Sequence, residues 1–374
     1  MKKTVVFITF FICCLSLFPG GNLIENKDKP LKGEWDFKPE LLWQVENAGD
    51  DVLVRVGSIQ VDDAGNIYVM ELSQFKIFVF APDGKFLYAF GKKGEGPGEI
   101  KNAYRFFLLD DRVIIPELGK FSFFTLQGKF MNSVNTGRMI APIVFLDANH
   151  FLHTGGLLPR EKESSGRLYL FDIETRKDRV ISEIPLEDAL TAASGGMQIV
   201  LKDSATTAAI VLGLKEKHLY FGKSDKYLVK KTDLDGSEIF SFSLYGRKRK
   251  KISPAFKRKR FENVRVNGRK MSKEMIDQMV NSMPDKVPFF SRIMIDHNGF
   301  IHVFVSDLEN ESGQEIDIFS PEGKYLYHGE IKMPDNYIIR GGLTFKDNYL
   351  HLFAEDEEGE GKLLKFKINM PKKL

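Results

Sequence analysis

Five arginines recur at comparable places along the chain, each at or just before the start of a short apolar stretch typical of a β-strand: Arg55, Arg105, Arg138, Arg292 and Arg340. A guanidinium group is planar, stays charged and donates two parallel hydrogen bonds to a carboxylate, sulfate or phosphate group. If these strands face a common space, the arginines form an anion-binding site. The alternative is that each arginine pairs with an acidic residue of a neighbouring loop.

Four acidic residues follow the next strand-like stretch of the same units: Glu71, Glu117, Asp307 and Glu355. Carboxylates that converge from several strands can hold a divalent metal ion. We assign these acids and the five arginines to ligand binding, with no catalytic residue, no metal site and no cofactor. A metal-dependent lyase or hydrolase is the alternative, and it requires the acids to meet at one site.

Three histidines, His153, His302 and His351, occupy equivalent positions in the repeated units. Other units have tyrosine or isoleucine at the same position. A position that accepts histidine, tyrosine or isoleucine is typical of packing, so we predict buried core histidines rather than metal ligands.

A strongly basic segment interrupts the pattern. Between Arg247 and Lys273 there are 13 lysines and arginines and one acid, Glu262, which gives a local charge of +12. Because the whole chain carries +3, the remainder carries −9. We predict polyanion binding by nine of these residues: Arg247, Lys248, Arg249, Lys250, Lys251, Lys257, Arg258, Lys259 and Arg260. The alternative is a solvated loop with no fixed partner.

The second half of this segment has the pattern of a helix. Ser272 is a good N-cap residue, and Glu274 falls in the first turn. Apolar residues recur on one face until Pro284, and most of them are methionines. Such a stripe usually packs against its own domain, although methionine-rich surfaces also bind partners.

The N-terminal sequence has the layout of an export signal. A pair of lysines precedes an apolar run from Thr4 to Phe18, too short to span a bilayer comfortably, and Pro-Gly-Gly follows. No clear cleavage site follows, so a cleaved signal, a lipid anchor and an uncleaved anchor all stay open. Each places the body outside the cytoplasm, in the periplasm, at the cell surface or secreted. Both cysteines lie in this segment, so the body has no disulfide or thiolate chemistry.

The elements that position these residues repeat along the chain. The phrase "APDGKFLYAFG" at 81 returns as "TLQGKFMNSVNTG" at 125, "TDLDGSEIFSFSLYG" at 232 and "SPEGKYLYHGE" at 320. Upstream of each copy are a polar turn and two more apolar strands. A four-stranded antiparallel unit of about 40 to 50 residues is typical of a β-propeller blade, and six such units are present. The last unit lacks a fourth strand, which "ELLWQVEN" at 40 can supply.

The run "DDAGNIYVMELSQFKIFVFAPDGKFLYAFGKKGEGPGEI" resembles an NHL repeat, and in particular the bacterial exported 6-bladed beta-propeller proteins. The resemblance is specific over residues 55–130 and 292–330 and loose between them. It implies a fold and a habit of binding, without a single activity. Some propellers are enzymes, but the motif surroundings of calcium-dependent lactonases and the paired histidines of lyases are absent here. The glycine-rich segment at 91 lies between strands, so it is predicted to be a connector rather than a phosphate cradle.

These observations predict an all-β fold, a six-bladed β-propeller closed by its N-terminal strand. The predicted segments are a signal peptide (1–21), a linker (22–39) and the propeller (40–374), with a partly helical insertion (247–288) between blades 4 and 5. We predict a monomeric, non-catalytic binding protein that recognises a protein, an acidic glycan or an anionic lipid head group at a channel mouth. The export signal argues against nucleic acid and allows contact with a membrane surface.

Overall fold

The computed structural model describes residues 22–372 except 110, 118, 137–143, 154–166, 184–209, 216–217, 263, 267–268 and 335–336. The predicted signal peptide lies outside the described residues. Six sheets, each built around a four-stranded antiparallel unit, follow one another along the chain, and the sixth takes one strand from the N-terminal region, so the fold is the predicted six-bladed β-propeller. The first strands of neighbouring blades contact one another and are therefore innermost.

Strands are numbered along the chain. Blade 1 consists of β6 (Val56–Val61), β7 (Ile67–Glu71), β8 (Lys76–Phe80) and β9 (Phe86–Phe90). Blade 2 consists of β10 (Phe107–Leu109), β11 (Arg112–Glu117), β12 (Lys120–Thr125) and β13 (Phe130–Asn135). Blade 3 consists of β14 (Val144–Phe145), β15 (His150–His153), β16 (Arg167–Asp172) and β17 (Lys177–Glu183).

Blade 4 consists of β18 (Ile210–Lys215), β19 (His218–Lys223), β20 (Leu228–Asp233) and β21 (Glu238–Tyr245), with β1 (Asn22–Lys27) added at its outer edge. Blade 5 consists of β24 (Phe290–Ile295), β25 (Ile301–Val305), β26 (Gly313–Phe319) and β27 (Tyr325–Lys332), with β2 (Glu34–Trp35) at its outer edge. Blade 6 consists of β28 (Ile338–Lys346), β29 (Tyr349–Glu355), β30 (Gly361–Lys367) and β3 (Glu40–Val45). A small hairpin, β4 (Asn47–Ala48) and β5 (Asp51–Val52), precedes blade 1.

The N-terminal strand β3 closes the ring, as predicted, because it pairs antiparallel with β30. The prediction of a linker at 22–39 is wrong. This segment lies along the outer edges of blades 4 and 5, where β1 and β2 pair in parallel with β21 and β27. The outer strand of a sheet leaves backbone N–H and C=O groups unpaired, and added strands satisfy them. We call residues 22–45 the N-terminal strap.

Buried apolar side chains of the described residues fall into six clusters, and each cluster joins two neighbouring blades. Between blades 1 and 2, for example, Met70 and Val79 pack with Val113 and Phe124. The second and third strands of a blade are therefore buried on both faces, which explains their continuous apolar runs. The outer strand β9 alternates exposed and less exposed residues, since only one side is covered.

The repeated phrase forms the turn between the third and fourth strands. Its glycine has a positive φ, for example 89° at Gly84 and 83° at Gly323, where other residues are strained. The copy in blade 3 has no glycine, and there Arg176 adopts a φ of 55°. The glycine-rich segment at 91 connects β9 to β10, as predicted.

The insertion (247–288), hereafter the basic insertion, runs from β21 to β24. It contains α1 (Pro254–Glu262), a hairpin of β22 (Arg265–Val266) and β23 (Arg269–Lys270), and α2 (Lys273–Ser282). Its two ends pair with each other, since Ile252 N–H donates to Asp285 O and Val287 N–H donates to Lys250 O. Helix α2 is the predicted one, and its N-cap Ser272 accepts a hydrogen bond from the backbone of Met275. Helix α1 was not predicted, because its basic sequence lacks an apolar face.

Neither helix of the described part of the chain is both long and apolar enough to cross a lipid bilayer.

Candidate functional site

The inner strands enclose a central cavity of about 650 Å³. It is lined by β6 and the C-terminal part of β28, by residues around β10 and β14, and by one residue of β24. This volume lies within the range typical of small-molecule sites, about 300 to 1,000 Å³. Most of the residues that line it are apolar or glycine, and the charged ones, Arg105, Arg292 and Lys346, decide which ligands it can hold.

Arg292 is the residue that β24 contributes to this cavity. It donates a hydrogen bond to the backbone carbonyl of Leu343 and lies over the ring of Phe304, 5.3 Å from its centre. Within the described part of the chain, no carboxylate pairs with it. Burial lowers its pKa to about 10, because the charged form is poorly solvated there. A partly buried guanidinium without a paired carboxylate favours an anionic ligand, because an unpaired charge is costly to hold away from water.

Arg105 lies in the same cavity, just before β10. It remains accessible to solvent, yet the surrounding protein lowers its pKa through desolvation. No described carboxylate pairs with this guanidinium either. Two of the five predicted arginines thus line one cavity, and neither pairs with a carboxylate of the described residues.

Ser58 was missed by the sequence analysis. It lies in β6, lines the cavity, and its hydroxyl is buried without a hydrogen-bond partner in the described structure. A free hydroxyl can donate to the anionic oxygen that the arginines attract. The only sequence signal for it is its place on an innermost strand. The nearby Gln60 is already engaged with the backbone of Phe106 and Leu108.

The other predicted arginines have different positions. Arg340 pairs with Glu355 at 2.6 Å and with Glu311 at 3.5 Å. It therefore forms ion pairs with nearby acids, which was the alternative to ligand binding. Arg55 is exposed and is not among the residues that line the cavity. Arg138 lies outside the described residues.

The acids Glu71 and Glu117 have structural roles. Glu71 is fully buried and accepts hydrogen bonds from the backbone of Arg55 (3.0 Å) and Gln74 (2.7 Å). Glu117 accepts from the backbone of Lys101 (2.8 Å) and from the Ser122 hydroxyl (2.7 Å). Each holds the connector that enters the first strand of its own blade.

The acids of blades 5 and 6 are also engaged. Asp307 pairs with Lys250 at 2.7 Å, and Glu355 pairs with Arg340. Among the described residues, the group with metal-ligand spacing is Asp356, Glu358 and Glu360, beyond the end of β29. Asp356 already pairs with Lys362 at 2.6 Å. The four predicted acids therefore do not meet at one described metal site.

The three histidines are buried, each with 1% of its surface exposed. His153 Nε2 lies 2.8 Å from Asp178, and His302 Nε2 lies 3.0 Å from Asp296. His351 has no hydrogen-bond partner in the described structure, and burial lowers its pKa to about 3. It packs near Trp43, so it is neutral and part of the core.

The nine basic residues of the predicted polyanion site divide into two groups. Four are anchored by acids: Arg247 by Asp28 and Asp317, Lys250 by Asp307 and Glu315, Lys257 by Asp285, and Arg258 by Asp277. Lys248, Arg249, Lys251 and Lys259 are exposed and form no ion pair with a described residue. Arg260 is also exposed and lies over the ring of Phe256.

The contacts of the basic insertion with the propeller run to blade 5. Besides the Lys250 pairs, the backbone of Ser253 donates to Glu309 at 2.6 Å. Asp307 and Glu309 belong to the loop after β25, on the face where the connectors between blades lie. No described residue of the insertion lines the cavity, so the insertion lies beside the channel rather than within it.

The profile of the 6-bladed beta-propeller family DUF5128 matches residues 47–290, about two thirds of the chain. The chain belongs to this family. The match ends within blade 5, and the ring of six interblade clusters shows that the same fold continues to residue 372. The finer prediction of an NHL repeat stays a prediction.

Two crystal structures share the fold. A member of the DUF4221 family from Bacteroides vulgatus ATCC 8482 has a TM-score of 0.59 and 14% identity, and the match covers 90% of this chain and 99% of that one. A protein of Bacteroides fragilis NCTC 9343 described as exported has a TM-score of 0.55 and 12% identity, covering 93% and 100%. At this identity the likeness shows the fold alone. A search of curated proteins found no match.

Proposed function

We propose that this propeller is an exported, non-catalytic binding protein whose central cavity holds the anionic group of a ligand. The group is a carboxylate, sulfate or phosphate carried by a glycan, lipid or protein partner. Export is supported by the N-terminal sequence pattern and by the Bacteroides fragilis protein of the same fold, which is described as exported. The proposal moves the binding site from the channel mouth into the channel.

The observation that carries the proposal is the uncompensated charge of Arg292. Holding an ionised group away from water costs several kcal/mol unless a counter-charge accompanies it. Arg105 adds a second cation on the same cavity, and this one is accessible to solvent. An anion bound in the cavity would offset the desolvation of Arg292 and could pair with Arg105, so the cavity favours anionic groups.

The metal-dependent lyase or hydrolase lacks comparable support. Its predicted ligands Glu71 and Glu117 are engaged by backbone amides, and Asp307 and Glu355 by cations. Freeing them for a metal would break the connectors that they hold.

The test is a thermal-shift titration of residues 22–374, because a ligand that binds only the folded state raises the melting temperature. Glucuronate, sulfate and phosphate are compared with glucose at matched ionic strength. We expect a shift with an anion that is absent with glucose and is lost in Arg292→Gln and Arg105→Gln. The matched control is Arg340→Gln, whose arginine is already paired. Loss of the shift in the control, or no shift with any anion, contradicts the proposal.

A second arm tests the enzyme alternative. Calcium, magnesium, manganese and zinc are added with and without a chelator. A metal-dependent increase in melting temperature that disappears in Glu71→Gln and Asp307→Asn would favour a metal centre and contradict the proposed binding function.

A further inference from the structure

We propose that the basic insertion is a membrane-docking surface that binds anionic lipid head groups through its exposed cations Lys248, Arg249, Lys251 and Lys259 and seats the methionine side of α2 in the bilayer interface. This surface is separate from the cavity, so its function does not depend on the ligand proposed for the channel.

The cations of the basic insertion fall into paired ones that face the protein and unpaired ones that face solvent. Along 247–251, Arg247 and Lys250 turn toward acids of the propeller, while Lys248, Arg249 and Lys251 are exposed and unpaired within the described structure. Helix α1 repeats this arrangement, since Lys257 is buried against Asp285 while Lys259 is exposed without an ion pair. The anchored cations orient the insertion, and the remaining ones form an outward basic surface.

The exposed cations of this surface destabilise one another through electrostatic repulsion. Neighbouring like charges repel, and solvent screens that repulsion only in part. Four nearby acids are already engaged with the anchored cations: Asp277, Asp285, Asp307 and Glu315. A negatively charged surface relieves the repulsion, and each lysine or arginine near an anionic bilayer gains on the order of 1 kcal/mol.

Helix α2 carries a stripe of apolar side chains. Its sequence is amphipathic, with Met275, Ile276, Met279 and Val280 on one side, yet none of its residues is buried. Met275 is 43% exposed, whereas Ile276, Met279 and Val280 are partly covered. The part of the stripe around Met275 is therefore the apolar surface available to an external partner.

The combination selects a lipid surface over an acidic glycan. A glycan chain offers charge but no apolar phase for methionine side chains, whereas a bilayer interface offers both. Arg258 pairs with Asp277 at 2.6 Å and joins the two helices, so the basic helix and the helix with the apolar stripe are direct neighbours. The nearby Tyr245 is 78% exposed, as is usual for an aromatic residue at a membrane interface.

The experiment is vesicle co-sedimentation of residues 22–374, which contain every described strand and both helices and omit the apolar run at the N-terminus. Vesicles of phosphatidylglycerol and phosphatidylcholine are compared with vesicles of phosphatidylcholine alone. We expect binding to the anionic vesicles only, weakened by salt. Removing the four unpaired cations (Lys248→Gln, Arg249→Gln, Lys251→Gln and Lys259→Gln) should lower the partition coefficient about 100-fold or more.

The matched control removes four exposed lysines from the turns between third and fourth strands, on the opposite face of the ring: Lys85→Gln, Lys129→Gln, Lys177→Gln and Lys324→Gln. This variant loses the same charge and should bind the anionic vesicles like the unchanged protein. Equal loss in both variants reduces the effect to net charge and overturns the proposal. Melting temperatures of both variants confirm that each is folded.

A third variant separates lipid from glycan. Met275→Gln should weaken vesicle binding and leave binding to heparin, a soluble sulfated glycan, unchanged, because it removes apolar surface without changing the charge. If Met275→Gln has no effect on vesicle binding, or if heparin binds as tightly as the anionic vesicles do, the apolar side has no role and the surface is a glycan site instead.

Discussion

Arg247 and Asp317 form an ion pair 3.1 Å long at the point where the basic insertion leaves blade 4. Asp317 lies in β26 of blade 5 and is fully buried, and it also accepts hydrogen bonds from Tyr227 and Tyr325, each at 2.7 Å. The pair therefore joins the insertion to both blades. The first cation of the predicted polyanion site holds the fold together, and its neighbour Lys248 is free for a partner.

Arg247→Met should destabilise the protein by about 3 kcal/mol, because it removes one of the two basic partners of the buried Asp317 carboxylate and leaves it with His328. Lys248→Met is the matched control and should change the free energy of unfolding by less than about 0.5 kcal/mol. Urea denaturation of both variants checks the prediction. Equal effects would mean that the ion pair adds nothing to stability.

The N-terminal strap can be followed by its own fluorescence, because the two tryptophans of the chain are Trp35 and Trp43. Trp35 donates to Asn369 O at 3.0 Å and Trp43 to Pro82 O at 3.1 Å. We expect the strap and the ring to unfold in one transition, since β3 completes blade 6. Deleting 22–39 should lower the melting temperature, and deleting 22–45 should lower it further and cause aggregation through the opened edge of β30. A tryptophan transition that clearly precedes the loss of β-sheet circular dichroism would show a strap that is not part of the ring's stability.

The Asp317 network also predicts a pH dependence. The hydrogen bond to Asp317, 2.9 Å long, raises the pKa of His328 above its ordinary value. The charged form is favoured in the folded state, so this contribution is fully present below a pH of about 6.5 and is lost as the pH rises through the folded pKa.

The test compares unchanged protein with His328→Asn at pH 5.5 and 8.5. The substitution should cost more stability at pH 5.5 than at pH 8.5. A cost that grows with pH would mean that His328 is neutral in the folded protein. The same network also shifts the pKa of Asp317. Burial alone would raise the pKa of Asp317, but the hydrogen bond from His328 and the charge of Arg247 hold it below its usual value.

The sequence was sufficient to predict the blades, their number and their closure, because glycine turns and apolar runs repeat with a fixed spacing. It also predicted α2, since Ser272 and Pro284 mark its ends. The strap was missed because β1 and β2 are short edge strands, whose pairing depends on which edges the folded ring leaves open. The sequence "NLIENK" of β1 contains no local pattern that predicts its parallel pairing with β21.

The site was predictable only in part. Arg292 is the third residue of β24, whereas Arg340 is the third residue of β28, so the two look equivalent in the sequence. Only the folded ring shows that Arg340 meets Glu355 and that Arg292 meets no acid in the described structure. Likewise, the division of the basic residues into anchored and free groups depends on Asp285, Asp307 and Asp317, which lie 28 to 70 residues from their partners.

His351→Phe should stabilise the protein, because an imidazole whose two nitrogens have no hydrogen-bond partner in the described structure is replaced by an apolar ring at a packing position. The gain should also depend on pH. The unfolded chain binds a proton below a pH of about 6.5, whereas burial holds the folded pKa at about 3, so the unchanged protein loses stability as the pH falls through this range. Unfolding free energies at pH 7 and pH 4.5 check both points. An advantage of His351→Phe that shrinks in acid would indicate that the folded imidazole is protonated.

Arg292→Met should raise the stability of the ligand-free protein by about 1 kcal/mol or more and abolish the response to anions. The buried charge is costly without a counter-charge, and methionine fills similar space next to Phe304 without that cost. The control Arg340→Met should show the opposite pattern, with unchanged or lower stability and an intact response, because its guanidinium is satisfied by Glu355 and Glu311. Denaturation with and without the anion found in the thermal-shift titration measures both quantities. If Arg292→Met is destabilising in the absence of any ligand, then the hydrogen bond to Leu343 and the ring of Phe304 already compensate the charge, and Arg292 supports the channel wall instead of binding a ligand.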